Sequence, residues 1–259
     1  MMDQSKPSGR GKTALFPPRA RVILSRALVG AVAVLAGMVA APVFAEPGGN
    51  VPVVVELFTS QGCSACPPAD ALLETLATNE DVIALALHVD YWDYIGWEDE
   101  FADPAFTERQ KMYARAAGAR TIYTPQMIVG GMEHLVGVRP EELSALIGQH
   151  IASPLPVSVS LSRANGSLRI DATAREPLGR PAVVQVVRYI PSETVAITRG
   201  ENAGQTVRYS NIVRSWTEIG VWDGASPLSL SQPITGPEPT VVIVQEPGPG
   251  RILGAARLW

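Results

Sequence analysis

The chain has 259 residues, 46% of them hydrophobic and 18% charged, with 21 basic residues against 25 acidic for a net charge of −4. Six of the basic residues and one acid, Asp3, fall within the first 45 positions, which leaves 15 against 24, a net −9, for residues 46–259. A body this acidic has no basic patch with which to neutralise phosphates, so nucleic acid is excluded as a partner.

Lys6, Arg10, Lys12, Arg19, Arg21 and Arg26 form a basic leader. The uncharged run Ala27–Ala45 follows and ends in Val43-Phe44-Ala45, the small-x-small pattern at which a signal peptidase cuts. Residues 1–45 are therefore expected to be a signal peptide, and the mature protein periplasmic or secreted. A retained leader would make it a membrane anchor, because the run just spans a bilayer. The Ala- and Gly-rich composition of the run and the presence of Pro42 favour cleavage. The character of the chain changes near residue 154, which predicts two domains, 46–153 and 154–259.

The first domain alternates strands with helices. Val53–Phe58 is a β-branched run of the kind found in a sheet covered on both faces. Residues 67–78 read as a helix, with prolines in the first turn, where N–H groups lack intrahelical partners anyway. Val82–Val89 is a second buried strand. Asp103–Ala117 reads as a helix capped by Asp103 with Pro104 at its first position. Gln126–Val129 and Glu133–Val136 flank Gly130-Gly131 as a hairpin, and Arg139–Ile151 closes the domain as a helix. The order is β-α-β-α-β-β-α, that of a thioredoxin-like core within the α/β class. After the linker Ser153–Pro156, strict alternation and an Asn165-Gly166 turn predict an antiparallel β-rich unit of about six to eight strands. That unit is expected to be a sandwich or a sheet packed on the first domain.

Both cysteines, Cys63 and Cys66, sit in Gly62–Pro68, between the first strand and the first helix. The helix N-terminus favours thiolate at Cys63, and Cys66 is one turn away. A Cys-x-x-Cys pair so placed signals redox chemistry. A permanently oxidised staple would close too short a loop to stabilise much. A structural zinc site would need four ligands, with only three histidines to supplement the pair. Thr124-Pro125, immediately before the third strand, is expected to hold a cis peptide facing the pair and to expose backbone to an incoming peptide. Glu56, a carboxylate in an apolar strand, is a candidate for the buried acid that serves Cys66, or else a strand-end residue with its head in water. Tyr91, Trp92 and Trp97, in the segment after the second strand, could line a substrate groove or pack the neighbouring helix. Arg199–Arg214 carries a polar turn and strand whose role is either ligand binding or locking the two halves together.

Val54–Asp70 (VVELFTSQGCSACPPAD), His88–Asp93 (HVDYWD) and Arg199–Asn202 (RGEN) together resemble the signatures of a family of secreted bacterial thioredoxin-like proteins catalogued as a domain of unknown function. The resemblance covers essentially all of residues 46–259. It implies a thioredoxin-like fold with a β-rich C-terminal part and an exported location, and it supplies no established activity. Gly62 stands where thioredoxin has a tryptophan, and Ser64-Ala65 replaces Gly-Pro between the cysteines.

The function expected is thiol–disulfide exchange on protein thiols or disulfides of the periplasm, with an accessible Cys63 attacking and a shielded Cys66 resolving. No cofactor is implied, no metal site is assigned, and a monomer is expected. The alternatives are a Cu(I)-handling protein using the two thiolates with His88 or His134, and a non-catalytic binding module with a structural disulfide. If the leader is cut after Ala45, intact-mass measurement of the exported protein should find a chain beginning at Glu46. A full-length, membrane-bound species would contradict this.

Overall fold

A computed structural model describes residues 51–259, and the leader with its cleavage site lies outside them. The elements run β1 (Val53–Thr59), α1 (Pro67–Ala77), β2 (Val82–His88), α2 (Pro104–Ala116), β3 (Gln126–Val129), β4 (Glu133–Val136) and α3 (Pro140–Ala152). A short 3₁₀ turn, Asp93–Ile95, lies between β2 and α2. Seven strands follow: β5 (Val157–Ala164), β6 (Ser167–Ala174), β7 (Ala182–Ala196), β8 (Thr206–Trp222), β9 (Leu228–Pro233), β10 (Thr240–Gln245) and β11 (Ile252–Leu258). The β-α-β-α-β-β-α order of the first half and its boundaries agree with the sequence to within a residue or two. The Asp103 side chain caps α2 by accepting from the Ala105 N–H at 2.8 Å. Among the described residues no helix is long and apolar enough to cross a membrane.

The sheet topology departs from the expected separate β unit. One eight-stranded sheet has the order β11-β10-β7-β8-β2-β1-β3-β4, and β5-β6-β9 form a second, three-stranded sheet. β1 runs parallel to β2 and antiparallel to β3, and β8 joins β2 in parallel through Ala86 and Ile212. Strands from both halves of the chain thus share one sheet. β2 reads VIALALH and is buried at every position, so both of its edges need hydrogen-bonding neighbours away from water. β1 supplies one neighbour and β8 the other. The Asn211 side chain adds a bond to the Ala84 carbonyl at 2.8 Å.

Alternation along β1 sorts its side chains. Val53, Val55 and Leu57 pack with Ala69 and Leu73 of α1 and Leu143 of α3 on one face. Val54 and Phe58 pack with Phe106 and Tyr113 of α2 on the other. Each fully buried Val or Leu here contributes roughly 1.5–3 kcal/mol. The small sheet covers a third cluster, in which Leu161, Leu168 and Ile170 meet Val184, Val242 and Val244.

Glu56 lies on the α2 face, fully buried, and accepts two bonds from Arg109, Nε to Oε2 at 2.7 Å and Nη2 to Oε1 at 2.9 Å. The Tyr113 hydroxyl donates to Oε1 at 2.6 Å, and Arg109 lies 3.8 Å above the Trp216 ring and also donates to Gln245. This network ties β1 and α2 to β8 and β10. Glu56→Gln leaves the Arg109 charge buried without its counter-ion and should lower unfolding stability by about 3–5 kcal/mol. The double variant Glu56→Gln/Arg109→Met should recover most of that loss. Urea denaturation of the single and double variants measures both.

Candidate functional site

The site lies where β1 and β2 end. The chain leaves β1 at Thr59, turns through Ser60–Ala65 and enters α1 at Cys66, whose φ and ψ of −80° and −35° are already helical. The Cys63 and Cys66 sulfurs are 2.20 Å apart, at disulfide distance. Backbone bonds from the Cys66 N–H to the Cys63 carbonyl (3.1 Å) and from the Asp70 N–H to the Cys66 carbonyl (3.1 Å) carry the loop into the helix. The expectation of an exposed Cys63 needs correction. Cys63 is 2% exposed and Cys66 0%, while Ser64 and Ala65 at the loop tip are exposed.

Three side chains hold the loop before and at Cys63. The Asn202 amide, in the β7–β8 turn, donates to the carbonyls of Gln61 (2.9 Å) and Cys63 (3.0 Å). Trp97 Nε1 donates to Gln61 Oε1 at 2.7 Å. Trp92 is the third. A Cβ on Gly62 would meet Trp92 Cβ at 3.2 Å, and Trp92 Nε1 donates to Thr124 Oγ1 at 2.7 Å. Trp92 therefore bridges the residue before Cys63 and the residue before Pro125. The Thr124–Pro125 bond is cis, as expected. Gly137 fits between Pro125 and α1, since a Cβ there would lie 2.8 Å from Pro125 Cβ and 3.1 Å from Ala69 Cβ.

Other candidates go elsewhere. Tyr91 turns to α2, where its hydroxyl donates to Gln110 Oε1 at 3.1 Å, and burial pushes it up to about 12. Glu56 is on the face of β1 opposite α1 and is paired with Arg109, so it lies neither beneath Cys66 nor with its head in water. His134 Nδ1 lies 3.3 Å from Gln126 Nε2, with its ring edge-on to Tyr113 on the α2 side. Among the described residues no three His, Cys, Asp or Glu side chains are arranged to hold a metal ion.

The buried acid beside the cysteines is Asp70. It sits four residues after Cys66, one helical turn on, and side chains at that spacing are neighbours. Asp70 is 3% exposed, and Thr59 Oγ1 donates to its Oδ1 at 2.8 Å. Nearby, His88 Nδ1 donates to Asp99 Oδ2 at 2.7 Å, and Asp99 also accepts from the backbone N–H groups of Gln61 and Phe101. Asp70 Oδ2, His88 Nε2 and Gln61 Nε2 find no partner among the described residues, so three orphaned buried atoms belong to this one neighbourhood. Burial pushes Asp70 from the usual 3.8 up to about 7, with His88 and the Thr59 hydroxyl pulling down and Asp99 adding to the rise. A carboxyl so tuned exchanges its proton near neutral pH. The sequence signal was available in Asp70 at helical spacing from Cys66, but an acid near a helix N-terminus ordinarily reads as a solvated dipole partner.

Because the folded value exceeds the unfolded one, the folded protein keeps a proton that the unfolded chain loses between about pH 4 and 7. Stability contributed at Asp70 therefore falls as pH rises through that window and stays low above it. Asp70→Asn, which keeps the acceptor for Thr59, should match the parent near pH 4. At about pH 8 it should be more stable by an amount on the order of 4 kcal/mol at most. Thermal unfolding at the two pH values checks this.

A family model described as "Protein of unknown function (DUF1223)" matches residues 54–245. Protein AGR_C_4864 from Agrobacterium tumefaciens has a crystal structure similar to this one, with a TM-score of 0.71 and 34% sequence identity over 81% of this chain and 95% of that one. HBP35 of Porphyromonas gingivalis has a TM-score of 0.59 and 14% identity over 82% of this chain and 76% of that one, a likeness in fold alone. No curated protein matches the chain. With the match running from β1 to β10 and so taking in both cysteines, Asp70 and Asn202, the chain belongs to the DUF1223 family.

Proposed function

We propose that the protein is an exported, thioredoxin-like thiol–disulfide oxidoreductase working through Cys63 and Cys66. The observation that carries this reading is the cysteine pair at the junction of β1 and α1, with the buried Asp70 carboxyl one helical turn beyond Cys66. The arrangement of β2-β1-β3-β4, parallel in its first pair and antiparallel in the rest, supports the thioredoxin-like assignment. So does Pro125 at the start of β3. Gly62, where thioredoxin has a tryptophan, leaves room for Trp92 and Ile95 of the segment after β2 to pack against the loop.

In the exchange, a substrate thiolate attacks Cys63 Sγ, the Cys63–Cys66 bond breaks, and Cys66 leaves as thiolate. A proton held by Asp70 is available to that leaving sulfur. A second substrate thiolate attacks the mixed disulfide at the substrate sulfur and releases Cys63 as thiolate. Two substrate thiols become one disulfide, and two electrons and two protons reside on the protein pair. The reverse sequence oxidises the protein and reduces the substrate. No organic cofactor enters.

Burial of both sulfurs favours a second reading, a structural disulfide in a non-catalytic module. A reduction potential below about −300 mV would support it. Under the redox reading Cys66→Ala strands the intermediate. Protein recovered from cells under non-reducing, acid-quenched conditions should carry a thiol adduct on Cys63 by mass spectrometry, and Cys63→Ala should carry none. Adducts on neither variant would sink the redox reading.

A further inference from the structure

The β7–β8 hairpin pairs, through two register shifts, out to Ala196 and Thr206, and its tip reaches the cysteine loop. Bonds from Ile197 N–H to the Gln205 carbonyl, from Gly204 N–H to the Ile197 carbonyl and from Gln205 N–H to the Asn202 carbonyl make the tip a closed turn. Asn202 is 1% exposed, and every polar atom of its side chain is in use. Its amide group serves the Gln61 and Cys63 carbonyls, and its Oδ1 accepts from Gln205 Nε2 at 3.1 Å. Gly200 has φ +77°, and a Cβ there would lie 3.1 Å from Trp97 Cβ, so the turn rests on the tryptophan that grips Gln61.

We propose that Asn202 and the turn it holds down are specificity determinants that restrict the Cys63–Cys66 pair to low-molecular-weight thiols and disulfides. This inference rests on the redox reading above and narrows its substrate class beyond the protein thiols expected from the sequence. Exchange needs the incoming sulfur on the axis of the bond it breaks, against Cys63 Sγ. A cysteine within a protein brings flanking chain, which needs a strip of free surface on either side of the target sulfur. Here Asn202 and Trp97 hold the loop at Gln61 and the Cys63 carbonyl, with Gly200 against Trp97, and Trp92 lies against Gly62, leaving the Ser64-Ala65 tip as the exposed part of the loop leading to Cys66. A small thiol brings little more than its own sulfur and methylene. The chemistry is otherwise unchanged: two small thiols give up two electrons and two protons to the pair and leave as one disulfide.

The test uses the oxidised protein and, as an unhindered reference, the synthetic oxidised peptide Gln61–Pro68. Each is reduced by dithiothreitol and, separately, by a reduced thioredoxin as a protein dithiol. Relative to the peptide, the wild-type protein should disfavour the protein dithiol over dithiothreitol by at least about tenfold. Asn202→Ala removes two hydrogen bonds from the closed turn. It should raise the thioredoxin rate by about tenfold or more while moving the dithiothreitol rate less than about threefold. Asn202→Asp, near-isosteric, sets a carboxylate against two carbonyls and should act in the same direction. Equal discrimination by wild type and peptide overturns the proposal without any variant. So does acceleration of both reductants alike, or of neither, in folded variants. The adduct on Cys66→Ala reads the redox function separately. A small-thiol mass agrees with the restriction, a protein-sized adduct contradicts the restriction alone, and no adduct contradicts the redox reading while the rate comparison still stands.

Discussion

Burying a loop obliges its carbonyl groups to find donors, and at the cysteine loop one side chain meets what the loop's own N–H groups do not. The carbonyls of Gln61 and Cys63 both point at Asn202, whose amide has two hydrogens to give. The Cys63 carbonyl also accepts from the Cys66 N–H, so it is the Gln61 carbonyl that depends on Asn202, and a buried carbonyl left without a donor costs about 1–3 kcal/mol against a native state stable by only about 5–15 kcal/mol. Much of the surrounding architecture serves to deliver that amide. β8 must lie beside β2, β7 must pair with β8 beyond the sheet, and the turn between them must close tightly enough to turn Asn202 inward.

The opposite face of the sheet carries the complementary anchor. Glu56, Arg109, Tyr113 and Gln245 form a satisfied ionic network in which Trp216 covers the guanidinium. Its members come from β1, α2, β8 and β10, so it fixes the first half of the chain against the second just as the Asn202 bonds do. The two carboxylates nearest the cysteines in sequence thus have different work. Glu56 is paired with a guanidinium, whereas burial without a bonded cation pushes Asp70 up to about 7. Neighbours decide this, since both groups are buried.

What was legible in the sequence was local. The Asp103 cap with Pro104, the Gly130-Gly131 hairpin and the prolines in the first turn of α1 each carry their signal within a few residues, and each element formed where it was read. The cysteine pair and Thr124-Pro125 were legible for the same reason. Pairing of β8 with β2 was not, because an alternating strand shows which face is buried and says nothing about which strand lies at its edge. The partner of Glu56 was not legible either, because Arg109 is 53 residues away on another element. Arg199–Asn202 stood out as a polar turn, and only the contacts across the sheet give that turn its work. β9, half exposed along its length, and β11, interrupted by small residues, carry weak strand signals of their own.

The distance along the chain between Cys63 and Asn202, 139 residues, has a consequence for the order in which the molecule is built. Synthesis delivers the cysteine loop, its helix and the first four strands well before the hairpin that shuts over them. During that interval the loop tip, both sulfurs and two carbonyls face water, and any oxidant or thiol has access of a kind the finished protein does not offer. Closure by a contact so remote also raises the contact order of the fold and slows its last steps. Large reactants therefore meet the pair most readily in the growing chain, before the hairpin arrives.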